Sequence, residues 1–155
     1  MALALSYLEN FFPINMAIPL PGIKLGLANI VTVFALYALG PCQALLILLA
    51  RCVLGAVFAG NMNALIFSIM GGVSAMLAMI VLSHLPGLSI YGVSIGGAAA
   101  HNCGQVAAAV LTLGNTAPVC YLPVLLGVSL FTGALTGLVA AGLFRALAHT
   151  DLMKG

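Results

Sequence analysis

The chain has 155 residues, 64% of them hydrophobic and 4% charged, with a formal net charge of +2. Soluble domains carry about 25% charged residues, so a chain this poor in charge cannot cover a water-facing surface, and lipid is the solvent that suits it. Six charged side chains supply neither a basic stripe for nucleic acid nor an acidic tail.

The first apolar stretch, residues 2–12, is only about 16 Å long as a helix, too short for a hydrocarbon core of about 30 Å. This predicts either a start upstream of Met1 or a helix that begins in the interface; a truncated or misassigned start is the preferred expectation. A signal peptide is rejected, because no basic region precedes the run and "ENFFP" is not a small-residue cleavage site. Pro13, Pro19, Pro21 and Gly22 make 13–23 a loop. Apolar segments follow at 24–39, 42–59, 64–82, 90–113 and 119–148, divided by Gly40-Pro41, "GNMN", "SHLPGLS" and "GNTAP".

Runs such as "QALLILLARCVLGAVFAG" are apolar on every face, which argues for helices and against barrel strands. The expected fold is therefore an all-α integral membrane protein, a single domain of six helices in a multi-pass, bacterial-type cell membrane. Six spans place both termini on one side. Arg145, His149 and Lys154 after the last span assign that side to the cytoplasm, while Lys24 on the outer side opposes it. The loop 13–23 then lies outside, either as a lid or as an ordinary connector.

Small residues four apart, Gly92 with Gly96, Ala100 with Gly104 and Gly133 with Gly137, are spaced for close helix contact. Cys42, Cys52, Cys103 and Cys120 form no CxxC pair and read as small buried hydrophobes. No Walker motif, no aspartate-rich pair for Mg²⁺ and diphosphate, and no acid for a Ser-His-Asp arrangement is present. No catalytic residue, metal site or cofactor is expected, and the chain is read as no enzyme.

Three polar sets stand out. Arg51 sits in the middle of its segment, where a charge costs several kcal/mol on insertion scales; it should face the bundle interior, a wet cavity or an anionic partner, with snorkelling as the alternative. His101 and Gln105 share a helix face with Asn102 beside it, near the depth of Arg51. They read as a ligand-binding group or as an interhelical hydrogen-bond network. Glu9, Asn10, Lys24 and Asn29 flank the outer loop. Glu9 and Lys24 could pair to anchor it, or Lys24 and Asn29 could recognise a phosphate or carboxylate.

"SYLENFFP", "PGIKLGLANIVTVFALYALG", "GVSIGGAAAHNCGQVAAA" and "YLPVLLGVSLFTGALTGL" resemble the Gx transporter family, also described as heptaprenyl diphosphate synthase component I, over residues 6–143. That family is similar to the substrate-binding S components of energy-coupling-factor (ECF) transporters. The resemblance implies a six-helix subunit that binds a micronutrient from outside and works with a membrane scaffold and two ATPases. Carried over, its matching positions are Glu9, Lys24, Asn29, Arg51, His101, Asn102 and Gln105, as ligand-binding candidates. An isoprenoid- or quinone-related solute would suit an apolar pocket with Arg51 and Lys24 for a head group. The alternatives are a non-catalytic membrane partner of a prenyl diphosphate synthase, and a small channel or stand-alone carrier.

Overall fold

The computed structural model describes residues 29–60 and 62–148. Among them the chain is all α, with one 3₁₀ turn and no strand. The helices are α1 (Asn29–Ala38), α2 (Pro41–Ala59), α3 (Met62–Ser83), α4 (Ile90–Leu113) and α5 (Leu122–Ala148), with the 3₁₀ turn at Ala117–Tyr121.

Local chemistry sets these limits. Gly40, at φ 95°, adopts a backbone that side chains disfavour, and Pro41 opens α2 where its missing N–H costs nothing. Ser89 caps α4 by accepting from the Gly92 N–H at 3.3 Å. The expected segment 119–148 begins instead with the 3₁₀ turn, because Pro118 and Pro123 each remove an amide donor there. Segments 42–59, 64–82 and 90–113 match α2, α3 and α4 to within two residues. Segment 2–12, the loop 13–23 and residues 24–28 lie outside the described residues.

α4 is the central helix. It packs most extensively against α3 on one side and α5 on the other. α2 covers α3, and α1 bridges α2 and α5. Phe34 of α1 stacks on Phe144 of α5 with ring centroids 4.9 Å apart, and Tyr37 meets the same ring edge-on at 6.2 Å. The main apolar core, including Val33, Leu36, Ala44, Leu48, Met76 and Met79, fills the end of the bundle near Gly40. Smaller clusters around Phe67 with Ala108, and Val106 with Leu125, fill the end near Gly60.

The outer faces are as apolar as the core. Leu46, Val53, Val57 and Phe58 on α2, and Leu130, Phe131 and Leu135 on α5, are all exposed. An apolar surface of this extent belongs in acyl chains rather than water. Three stretches are long and apolar enough to cross a membrane: Pro41–Phe58, Met62–Ser83 and Ala117–Ala146. That is short of the six spans read from the sequence. α1 has ten described residues, and α4, with 24, is long enough but diluted by the small and polar residues it turns inward.

Glycines permit the tight packing. A Cβ on Gly104 would lie 2.5 Å from the Met70 carbonyl oxygen, and one on Gly133 would lie 2.5 Å from the Ile95 Cα. Gly137 approaches Tyr91 of α4, and Gly96 approaches the Leu82 side chain. Gly92 departs from the expectation, since its near neighbour is Leu88 just before its own helix. Gly133→Ala should therefore force α4 and α5 apart and cost about 1–3 kcal/mol. Gly127→Ala, with nothing within 4 Å, should be neutral or stabilising by up to about 1 kcal/mol. Thermal unfolding of the two variants in detergent checks the contrast.

Candidate functional site: a buried polar layer

α2 turns one stripe inward. Ala44, Leu48, Arg51 and Cys52 are buried, while Leu45, Leu46, Leu49, Val53 and Leu54 are exposed. Arg51 thus shares its face with core residues at 9% exposure, the burial that an interior-facing charge requires. Snorkelling to the bundle surface is not its conformation. On α1, Asn29, Ile30, Thr32, Val33, Ala35 and Leu36 are buried, and Asn29, Val33 and Leu36 share one face.

The two stripes mirror each other about Gly40. Leu36 and Ala44 are each four residues from it, and both join the apolar core with Val33 and Leu48. Asn29 and Arg51 are each eleven residues from it. In an antiparallel hairpin they reach the same depth, about 16 Å from the turn.

α3 links this depth to α4 through two adjacent glycines. A Cβ on Gly72 would meet Leu48 of α2, whereas one on Gly71 would meet His101 and Gln105 of α4 at 2.9 and 3.0 Å. Arg51 lies about one turn beyond Leu48 toward the Gly60 end, which brings it to about the depth of Gln105. His101 and Gln105 are buried, at 5% and 1% exposure. Asn29, Arg51, His101 and Gln105 therefore form one polar layer above the apolar core.

Two of these groups have atoms with no hydrogen-bond partner among the described residues. They are Arg51 Nε, and both the oxygen and nitrogen of the Asn29 amide. Unmade hydrogen bonds in a low-dielectric interior are costly, about 1–3 kcal/mol for a neutral group and more for a charged one.

Asn102 is placed differently from its neighbours. Its Nδ2 donates to the Leu125 carbonyl oxygen at 2.8 Å, so it ties α4 to α5. Ser94 makes a parallel tie, its hydroxyl donating to the Gly133 carbonyl at 2.8 Å. Sequence reasoning missed Ser94 and the Gly71-Gly72 pair; two glycines in the middle of an apolar run were the available signal for close approach on two faces. Glu9, Asn10 and Lys24 lie outside the described residues. Of the cysteines, Cys52 is buried as a small apolar residue, but Cys42, Cys103 and Cys120 are exposed, and none of the four is in a disulfide among the described residues. No cluster of metal-ligating side chains occurs among the described residues.

Fold and layer together define a helical, membrane-type protein with a polar interior at mid-bundle. The chain belongs to the heptaprenyl diphosphate synthase component I family, whose model matches residues 1–143. No curated protein and no solved structure matches it.

Asn102→Leu removes an interhelical bond, and such bonds within membranes average about 0.6 kcal/mol with a maximum near 1.7. The variant should lose about that much stability, read as a lower unfolding midpoint in detergent. It should keep any bound molecule to within about twofold, because the amide nitrogen is committed to the backbone of α5 rather than to the layer.

Proposed function

We propose that the chain is the non-catalytic solute-binding subunit of a membrane uptake system. The observation that carries this reading is that Arg51 and Asn29, at about the same depth, are buried with hydrogen-bonding atoms that no described residue satisfies. A polar layer with spare donors, buried on rigid helices, is what a solute site in a lipid-embedded bundle requires.

The solute enters from the Gly60 end, which faces outward, and the packed apolar core toward Gly40 closes the cytoplasmic side. Both termini are cytoplasmic. The chain carries no nucleotide-binding motif. Uptake is therefore driven by partner subunits, a membrane scaffold and ATPases of the ECF type. An isoprenoid- or quinone-related solute suits the apolar surroundings of the layer.

The family description favours a second reading, a membrane partner of a heptaprenyl diphosphate synthase. In that role the chain would anchor the enzyme, and the polar layer would only fix the helices. Prenyl transfer itself needs metal-bound diphosphate, and no described residue supplies a carboxylate for the metal.

Native mass spectrometry of the gently extracted, tagged protein separates the two. The uptake reading predicts a small-molecule adduct, together with scaffold and ATPase subunits. Arg51→Ala and His101→Ala should each lower adduct occupancy about tenfold or more, equivalent to about 1.4 kcal/mol, with the helical content intact. A co-purifying prenyl diphosphate synthase with no adduct would replace this reading with the second.

A further inference from the structure

Arg51 poses a charge-balance problem that identifies the chemistry of its partner. An arginine side chain is a permanent cation. The only carboxylate side chains in the sequence are Glu9 and Asp151, and both lie outside the described residues. Among the described residues none carries a carboxylate side chain, so nothing there balances the buried mid-helix guanidinium.

We propose that Arg51 and Asn29 form the receptor for a solute oxyanion, a carboxylate or phosphate that carries a neighbouring O–H or N–H donor. This rests on the solute-binding reading and adds the class of solute to it.

Each half of that description comes from an orphaned atom. Arg51 Nε is buried without a partner among the described residues, and with the Nη groups it offers the planar fork that matches two oxygens of one oxyanion. Asn29 Nδ2, at the same depth on the facing stripe of α1, adds a further donor. Asn29 Oδ1 is an acceptor, equally buried and equally unpartnered. It has no use for an oxyanion oxygen, so it calls for a donor on the same ligand. A hydroxy acid, an amino acid or a monohydrogen phosphate presents both features in adjacent positions, whereas sulfate and acetate lack the second.

The full chain in an uncharged maltoside detergent provides the test. Its unfolding midpoint is measured at constant ionic strength in chloride, acetate, sulfate, lactate and phosphate. Lactate or phosphate at about ten times its dissociation constant should raise the wild-type midpoint by about 4 °C, with smaller shifts in acetate and sulfate. The shift should vanish in Arg51→Gln, shrink in Asn29→Ala and be partly retained in Arg51→Lys. The wild-type response stands without the variants, should any of them fail to fold.

Five results would overturn the inference. One is no oxyanion response in the wild type. Another is a response that survives Arg51→Gln. The third is a bound phospholipid, seen by native mass spectrometry and lost in Arg51→Gln, since it would make the anion a lipid headgroup. Destabilisation by Glu9→Gln equal to that of Arg51→Gln, with no oxyanion response, would assign the counter-charge to the chain itself. An uncharged adduct retained in Arg51→Gln would sink the oxyanion while leaving the solute-binding reading in place.

Discussion

A guanidinium halfway along an apolar helix has to be kept out of acyl chains, and that requirement organises this bundle. In hydrocarbon every polar group must find its partner inside the protein or on a ligand. Arg51 satisfies the first half of the demand by sharing the inward stripe of α2 with Ala44, Leu48 and Cys52. The rest of the architecture makes room for it. α1 brings Asn29 to the same depth, α3 offers glycines to both its neighbours, and α4 presents His101 and Gln105 behind Gly71.

Close packing and the polar layer are two sides of one arrangement. Lipid tails are as apolar as leucine, so helices in a membrane gain little from hiding apolar surface against each other. They gain from dispersion at short range and from hydrogen bonds across the contact. α4 uses both. Gly104 and Gly133 let backbones approach, while Asn102 and Ser94 donate to backbone carbonyls of α5. With α4 fixed on both flanks, the His101–Gln105 face is held on a rigid support.

Helix limits were largely legible in the sequence because breakers mark them. Gly40-Pro41, the glycine and asparagine run at 60–63, and Ser89 are local signals, and α4 begins and ends at the limits its flanking breakers set. Burial of Arg51 was legible too, since physical cost alone dictates it. The roles of individual polar residues were harder to read. Asn102 is adjacent to His101 in sequence, yet a step of one residue turns it about 100° around the helix, onto α5. Nothing in the local pattern says which helix waits there. The Gly71-Gly72 contacts are long-range in the same sense, for two adjacent glycines on α3 meet different helices. The number of membrane crossings is the other place where pattern and structure part. α4 turns small and polar residues inward, so a hydropathy average understates a helix that is long enough to cross.

On this structure lipid should bathe the outer stripe of α2 while Arg51 points away from it. Spin labels placed one at a time at positions 48–58, in a chain whose four cysteines are replaced by alanine and which is reconstituted in liposomes, measure this directly. Collision with oxygen, which concentrates in lipid, should peak at 49–50, 53–54 and 57–58. It should fall at 48 and 51–52 with the helical period, and a water-soluble nickel complex should stay excluded from the peaks. High nickel access at Val53 and Val57, or an oxygen maximum at position 51, would contradict it.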